Sequence, residues 1–282
     1  MARDLRFTLL GTGTSSGVPV VGCDCPTCTS DDPRDRRLRC SGCLQFTDAD
    51  GQERVILLDT SPDLRQQALR LKLHRCDAIF HTHDHVDHTF GLDEVRRFNV
   101  LMDAHIEVFA DERTMRSLHR IFDHIFNRER NSKHAFVAKL LPRVIDPNRP
   151  VDLYGLRFTP VKLLHGGLEV LGYRIDALDH RKQVADDQPA PLPLAYCTDV
   201  SAIPPESWAK LTGLRTLVLD MLRYRNHPMH FSLDGAVAAA ERIAAGQTWF
   251  IHMTHDVLHA DLDSKLPDRV SLAYDGLVIG EG

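Results

Sequence analysis

The stretch HTHDHVDH, residues 81–88, is the strongest single indication of how this chain folds and what it binds. It places four histidines and two aspartates in eight residues, directly after the apolar run AIF. His83 and His85 are two residues apart, so in an extended chain they point the same way. Asp87 and His88 follow where the chain turns toward FGLDEVRRF. One tight loop can therefore present imidazoles to one metal and a carboxylate with an imidazole to a second, and these ligands suit zinc, manganese or iron.

Apolar runs of strand length recur on both sides of this loop, and helical segments separate some of them. The predicted strands are 5–11, 54–60, 77–83, 168–176, 192–200, 215–222 and 248–255. Residues 61–73 and 232–246 have apolar residues at helical spacing, with Ser61 and Ser232 as predicted N-caps and Gly246 as the predicted end of the second helix. Strands that alternate with helices and end in polar residues predict an α/β layered domain with its site at one sheet edge.

The composition fits a soluble globular enzyme and argues against several other classes. The chain has 282 residues, of which 43% are hydrophobic and 26% charged, and a net charge of −5. That charge does not fit a protein that coats nucleic acid electrostatically. The N-terminal MARDLRFTLLGTG lacks the apolar core of a signal peptide, and no apolar run is long enough to span a bilayer. A cytoplasmic location is therefore expected, with the seven cysteines as thiols or metal ligands.

The whole chain, 1–282, is predicted to form a single domain with one helical insertion. Neither a Ser/Gly-rich linker nor a repeat of fixed period divides it. The segment 111–150 is basic, contains several histidines and has a mixed periodicity. It is predicted to be a helical insertion that covers a site, with a solvated pair of surface helices as the alternative.

The histidine loop also has the pattern of a known family. The motif H-x-H-x-D-H stands at His83, His85, Asp87 and His88. It resembles the signature of the metallo-β-lactamase fold superfamily of binuclear metal hydrolases. That family's further elements are an acid after an early strand, a lone histidine, a bridging aspartate and a final histidine, which match Asp59, His165, Asp199 and His252. The resemblance implies a four-layer αββα sandwich, with the metals at one edge of its two sheets.

The resemblance also implies which residues hold two catalytic divalent metals, zinc or manganese. One metal would be held by His83, His85 and His165, and the other by Asp87, His88 and His252. Asp199 would bridge the two metals. Asp59 would orient the ligands without binding metal. His81 lies outside the motif and is expected to be a strand-end residue beside the ligands.

A second cluster, VGCDCPTCTS at 21–30, holds Cys23, Cys25 and Cys28. A structural zinc takes four protein ligands, so one ligand is missing from this stretch. The phosphoribosyl cyclic phosphodiesterase subgroup, which acts in phosphonate breakdown, carries a structural zinc on such a loop. Its fourth ligand is a histidine three residues after the last active-site histidine. The resemblance to that subgroup implies that His255 completes a structural zinc site.

Cys40 and Cys43, in RCSGC, form a further C-x-x-C pair that departs from the family pattern. Both are predicted to be small buried residues entering a strand. An alternative role as thiol ligands is left open.

Local features beside the metal motif favour a phosphodiester substrate. The stretch GLDEVRRFN resembles one in the phosphodiesterase-like members, and Arg96, rather than Arg97, is predicted to clamp a phosphate. The segment HPMH resembles an H-P-x-H segment of the family, so His230 is the predicted general acid, with His227 as a turn residue. In the expected reaction the two metals supply a hydroxide that attacks phosphorus, and His230 protonates the leaving alkoxide.

The predicted function is hydrolysis of a cyclic phosphate or another small nucleotide-like phosphodiester. The residues expected to act in catalysis are Asp59, Asp87, Arg96 and His230. No stable nucleic-acid partner and no membrane are expected, and the oligomeric state is left open, a homodimer included.

Several alternative functions remain. A transfer-RNA 3′-processing ribonuclease would normally carry a long Gly/Pro-rich arm, which is absent from this sequence. A protein of pyrroloquinoline quinone synthesis shares the SPDLR stretch at 61–65 and a cysteine loop, but departs from the full histidine motif. Another hydrolase of the same fold, or a binding protein with zinc only for structure, completes the alternatives.

Overall fold

The computed structural model describes residues 2–127 and 136–280, and within them two seven-stranded sheets face each other. The first sheet has the order β14-β1-β2-β3-β4-β5-β6. Its strands are β1 Arg3–Gly11, β2 Ser41–Thr47, β3 Glu53–Leu58, β4 Ala78–Phe80, β5 Ile106–Ala110, β6 Leu140–Val144 and β14 Val278–Gly280. The second has the order β13-β12-β11-β10-β9-β8-β7. Its strands are β7 Val151–Leu153, β8 Leu156–His165, β9 Leu168–Ala177, β10 Leu194–Cys197, β11 Thr216–Asp220, β12 Gln247–Ile251 and β13 Val270–Leu272.

Helices cover the outer faces of both sheets. They are α1 Leu64–Leu71, α2 Val86–Thr89, α3 Arg96–Met102, α4 Glu112–Ile121, α5 Asp123–Phe126, α6 Leu233–Ile243 and α7 His259–Asp263. Short 3₁₀ segments lie at Pro33–Asp35, Leu92–Val95 and Pro205–Leu211. None of the helices in the described part of the chain is both long and apolar enough to cross a bilayer.

Both sheets follow one plan, in which antiparallel pairing gives way to parallel pairing. Strands β1, β2 and β3 pair antiparallel, and β3 through β6 pair parallel. Strands β7 through β10 pair antiparallel, and β10 through β13 pair parallel. Parallel strands end at the same edge of their sheet, so the loops after β3 and β4 lie together, as do those after β10, β11 and β12. Ligand sites in such sheets lie beyond the carboxyl ends of the strands.

Three separate buried clusters show that the molecule has four layers. Between the sheets, the ring of Phe80 stacks on Phe109 at 4.5 Å and on Phe158 at 4.2 Å between centroids. A second cluster packs α6 against the second sheet, and a third packs α1, α3 and α4 against the first. The predicted α/β four-layer αββα sandwich is therefore confirmed.

The helix boundaries partly depart from the predictions. Ser232 caps α6 as predicted, since its Oγ accepts the N–H of Gly235 at 3.4 Å. That helix ends at Ala244, which takes a left-handed φ of 53°, so the predicted stop at Gly246 was wrong. Helix α1 begins at Leu64, not at the predicted cap Ser61. The hydroxyl of Ser61 accepts an N–H before the helix starts, which makes a turn rather than a cap.

The segment 111–150 is helical only in its first part. Helices α4 and α5 occupy its beginning, and 128–135 lie outside the described residues. Leu140–Val144 then forms β6, the edge strand of the first sheet, so the prediction of a helical insertion was wrong for these residues. Pro142 lies within this strand, and an edge strand tolerates a residue without an N–H.

A buried guanidinium joins the N-terminal region to the loop after β12. The side chain of Arg37 is fully buried, and its nitrogens donate to the carbonyls of Thr254 at 3.0 Å and Val257 at 2.8 Å. It also donates to Asp35 at 2.9 Å, and Asp35 accepts the backbone N–H of His259. Two loops more than 200 residues apart are held together by these bonds.

We expect Arg37→Met to lower the free energy of unfolding by about 3–5 kcal/mol, because it leaves the buried Asp35 carboxylate without its partner. Urea denaturation followed by circular dichroism measures this loss. The double variant Arg37→Met/Asp35→Asn leaves no unpaired buried charge and should recover part of the stability. A loss below about 1 kcal/mol, the range of exposed ion pairs, would contradict a stabilising role for this pair.

Candidate metal centre

The loops at the carboxyl ends of the strands bring the predicted metal ligands of both halves of the chain together. The histidine motif runs from the end of β4 into α2, and His165 ends β8. Asp199 and His252 follow β10 and β12. The predicted ligand atoms form two groups, each with all its atoms within 4.8 Å of one another, and a further group of the same kind joins Asp199 and His252 to His230. The first ligand group is His83, His85, His165 and Asp199, and the second is Asp87, His88 and His252.

Asp199 lies between the two ligand groups. Its Oδ1 is 3.9 Å from Nε2 of His83 and 3.8 Å from Nε2 of His165, both in the first group. The same carboxylate lies 3.1 Å from Nε2 of His88 and 3.4 Å from Nε2 of His252, in the second group. A single carboxylate thus faces nitrogen atoms from both groups, which is the position that a bridging ligand requires.

The backbone is strained where three of the site residues leave their strands. Asp59, Asp199 and His252 have φ values of 63°, 57° and 64°, in the left-handed region. Residues other than glycine adopt this conformation at a cost of about 1–3 kcal/mol each, and such residues cluster at functional sites. Each of the three lies just beyond its strand, where this conformation sharply turns the chain.

Asp59 orients His88 and does not join either ligand group. Its Oδ2 lies 2.7 Å from Nδ1 of His88, and its oxygens also accept the N–H and hydroxyl of Thr82. Burial would raise the pKa of Asp59, but the neighbouring charge of His88 outweighs it and lowers the pKa to about 2. With Nδ1 held by Asp59, the His88 ring directs Nε2 toward Asp87 and Asp199.

The buried nitrogen atoms of the site fit bound divalent metals. The Nε2 atoms of His83, His88 and His252 are buried and have no hydrogen-bond partner among the described residues. Buried polar atoms in folded proteins nearly always have a partner, so each exception needs an explanation. All three atoms face carboxylate oxygens of the ligand groups, and nitrogen and oxygen donors of this kind suit divalent metals. The donor set therefore fits two divalent ions.

The charges of the site also favour metal binding. Burial lowers the pKa of His83 to about 3, so its imidazole is neutral and can donate a lone pair. For His252 burial acts the same way, but Asp199 outweighs it and raises the pKa to about 9. The surrounding histidines hold the pKa of Asp199 well below its usual range despite its burial. A proton and a metal compete for the same nitrogen of His252, so metal binding releases protons.

His230 borders the second ligand group and contacts Asp220. The sequence patterns above do not identify Asp220 as a site residue. The His230 ring stacks on His252 with centroids 4.7 Å apart, and its Nδ1 lies 3.3 Å from Oδ1 of Asp220. The same oxygen lies 3.4 Å from Nδ1 of His252. Asp220 ends an apolar strand, as Asp59 and Asp199 nearly do, and this shared pattern was the signal that could have identified it.

Arg96 forms an ion pair near the protein surface. Its guanidinium pairs with Asp93, one turn earlier, and lies over the ring of Phe136 at 5.5 Å. None of its hydrogen bonds or ion pairs within the described residues reaches a ligand group. A phosphate clamp at Arg96 would require the pair with Asp93 to break. Arg97 lines a surface groove between α1 and α3.

The cysteines of the N-terminal loop surround His255. Its Nδ1 lies 3.1 Å from Sγ of Cys23, 3.4 Å from that of Cys25 and 3.6 Å from that of Cys28. The backbone N–H of Cys28 lowers the pKa of Cys25 to about 7, whereas burial raises that of Cys28 to about 11. Three thiols around one imidazole nitrogen make a Cys₃His donor set that could hold a metal ion.

Cys40 and Cys43 lie outside this cysteine group. Both side chains are fully buried, as predicted, and neither belongs to a possible ligand set within the described residues. Burial raises the pKa of Cys43 to about 12. The open alternative that this pair supplies thiol ligands therefore gains no support.

The chain is similar to known proteins over nearly its whole length. The model of the beta-lactamase superfamily domain matches residues 54–253. A solved structure described as a new diphosphatase from the PhnP family is 38% identical, covers 99% of this chain and 97% of its own, and superposes with a TM-score of 0.84. Zinc-bound PqqB from Methylobacterium extorquens shares the fold, with 20% identity, coverage of 98% and 100%, and a TM-score of 0.73.

Among curated proteins, an octanoyltransferase from Porphyromonas gingivalis is 34% identical over 275 residues. The match covers 97% of this chain but 51% of the relative, so the chain spans about half the length of that protein.

We expect Cys25→Ala and His255→Ala each to lower the metal content by one equivalent of zinc, because their ligand atoms belong to one group. The double variant should lose no more metal than either single variant, since both changes remove the same site. Elemental analysis of the folded, gel-filtered proteins measures this. Cys43→Ala is the matched control and should keep its metal. Full zinc content in His255→Ala would show that the thiols take their fourth ligand elsewhere.

Proposed function

Since the chain belongs to the metallo-β-lactamase superfamily, and within it to a PhnP-like subgroup, we propose that it hydrolyses a small phosphodiester or a closely related phosphate ester. The observation that carries the proposal is the placement of Asp199 between two ligand groups, with His230 beside them. The similarity of the whole chain to a diphosphatase supports chemistry at phosphorus. The activity of the octanoyltransferase is not carried over, because the chain spans only half of that protein.

We propose that the two ligand groups hold two catalytic divalent metals. The first metal would be held by His83, His85 and His165, the second by Asp87, His88 and His252, and Asp199 would contact both. When bound, two such metals supply a hydrolytic nucleophile at neutral pH and positive charge for the phosphoryl oxygens. Asp59 supports this by fixing the ring of His88 through its Nδ1.

His230 is proposed to donate the proton that the leaving group needs. Because Nδ1 of His230 faces Asp220, its Nε2 remains available. As the bond from phosphorus to the leaving oxygen breaks, the proton on Nε2 passes to that oxygen and the imidazolium becomes neutral imidazole. The ring of His165 also contacts the ring of His230, with the two centroids 4.5 Å apart.

The third metal, a zinc on Cys23, Cys25, Cys28 and His255, is proposed to be structural. His255 follows His252 by three residues, on the same loop. A zinc there would anchor that loop to the N-terminal region, as Arg37 does nearby through Thr254 and Val257. Its role would be to fix His252, because errors of about 1 Å in a site can reduce the rate about 10²-fold.

We expect Asp199→Ala to reduce turnover to that of the metal-free protein, because both ligand groups lose a shared carboxylate. The measurement is hydrolysis of a panel of cyclic nucleotides, diphosphate esters, thioesters and lactams by zinc-loaded and manganese-loaded enzyme. Asp176→Asn removes a buried aspartate at the far end of β9 and should stay active. Turnover of lactams or thioesters, without any phosphate ester, would overturn the proposal.

We expect His230→Ala to lower kcat by about 10²–10⁴ on substrates with an alkoxide leaving group, and far less on nitrophenyl esters, which need no protonation. Stopped assays on matched alkyl and nitrophenyl phosphodiesters give this comparison. His227→Ala changes a neighbouring histidine and should leave the ratio unchanged. Equal losses on both leaving groups would show that His230 is not the proton donor.

A further inference from the structure

We propose that Val86 and Phe90 form an apolar wall beside the two ligand groups, and that this wall selects phosphate esters whose organic part carries a flat aromatic ring, such as a nucleobase. The proposal rests on the proposed function and names the class of substrate taken by the same site. The ligand groups would hold the phosphate, so the wall determines which ester binds and takes no part in the chemical step.

The first support is the side on which the metal centre opens to solvent. The side chains of His83 and Asp199 are 2% and 3% exposed, whereas His85 is partly exposed and the side chain of Asp87 is 13% exposed. The site is therefore accessible along the loop that carries His85 and Asp87. Val86 lies between these two ligands in the chain and is 52% exposed. An apolar side chain thus stands in water directly beside residues of both ligand groups.

The second support is that Phe90 extends this exposed surface by one helical turn. Its backbone N–H donates to the carbonyl of Val86 at 3.1 Å, and the residue is 45% exposed. Side chains four residues apart in a helix are neighbours on its surface, so Val86 and Phe90 form one apolar strip. Successive residues of a helix are rotated by about 100°, so this strip borders the face from which Asp87 approaches His252.

The third support is that the ring of Phe90 is held in place by Phe122. The two ring centroids are 6.0 Å apart and the planes meet at 75°, an edge-to-face contact. Phe122 is buried and directly follows α4. That helix is attached to the histidine loop, because the hydroxyl of Ser117 donates to Asp84 at 2.6 Å. The wall and the metal ligands are therefore fixed to the same loop.

The chemistry of this wall favours an ester with an aromatic ring over a bare sugar phosphate. A flat ring that lies on Phe90 and Val86 removes apolar surface of both partners from water. Aromatic side chains bind nucleobases by stacking, and they do so with little regard to base identity because every base has a π-face. A hydroxylated sugar has no such face and would leave the wall exposed. The wall therefore selects for a base without specifying which base.

The test compares Phe90→Ala with the wild-type zinc-loaded enzyme on two matched substrates. One is a 2′,3′-cyclic nucleotide, and the other is the cyclic phosphate of methyl riboside, which has the same phosphodiester and no base. We expect Phe90→Ala to raise KM for the nucleotide about 10-fold, the loss of one stacking contact, with kcat within about two-fold of wild type. Both constants for the methyl riboside compound should stay unchanged. Phe90→Trp should keep the low KM for the nucleotide, because indole also stacks.

The matched control is Val100→Ala. Val100 is 53% exposed, as Val86 nearly is, but it lies on α3 and outside the ligand groups. Its loss should leave KM for both substrates at the wild-type value. An unchanged KM for the nucleotide in Phe90→Ala would show that the ring does not contact the base. An equal rise in KM for both substrates would show that Phe90 supports the site as a whole, and either result would overturn the proposal.

Binding measured without turnover separates the wall from the proposed function. Calorimetry of the zinc-loaded protein with adenosine monophosphate and with ribose 5-phosphate compares two ligands that differ by the base. We expect adenosine monophosphate to bind about 10-fold more tightly, and Phe90→Ala to remove that preference. If no phosphate ester is hydrolysed, the proposed function fails, whereas this preference and its loss would still support the wall. Equal affinity of the wild-type protein for the two ligands would overturn it.

Discussion

The crowding of imidazoles and carboxylates at one sheet edge is the constraint on which the rest of this structure depends. Nε2 atoms of three histidines converge there on Asp199 without hydrogen-bond partners in the described chain. Buried groups of this kind destabilise a protein unless a ligand satisfies them. The strained backbone at Asp59, Asp199 and His252 adds to that cost. Divalent metals would satisfy the nitrogens and neutralise the carboxylates, so metal binding and the stability of this edge are coupled.

The region that carries His252 is held from three directions. Asp220 contacts the His252 ring itself, from the end of β11. Arg37 binds the backbone of the following loop, and three cysteines surround His255 a few residues further on. The contacts of Arg37 and the cysteines join residues more than 200 positions apart in the chain, so the position of one metal ligand depends on the N-terminal region. This arrangement is the reason to expect that changes at the cysteine cluster alter the position of His252.

The fold alone does not select the reaction. Proteins described as a diphosphatase and as PqqB share it with this chain. Groups that could select a reaction lie beside the ligand groups, where His230 stacks on His252 and contacts Asp220. Under the proposed function, His230 would supply a proton to the leaving group beside the two ligand groups. Such a combination would suit phosphate esters whose leaving group needs a proton.

The parts of the site that depend on local spacing are predictable from the amino-acid sequence alone. The histidine motif, the strands that end in polar residues and the cysteine loop are all short-range patterns. The structure gathers the side chains of the first two into the ligand groups and places the cysteines around His255. The resemblance to a family supplied the distant partners His165 and His255, which no local pattern links to the rest. Contacts between segments that are distant in the chain form only in the tertiary structure. In the folded chain Arg96 pairs with Asp93, and Leu140–Val144 pairs with β5 as an edge strand. Asp220 lies within 3.4 Å of ring nitrogens of His230 and His252. A lone aspartate at a strand end has no spacing to reveal its partners, since those partners lie on other loops and meet it only when the sheet edge forms.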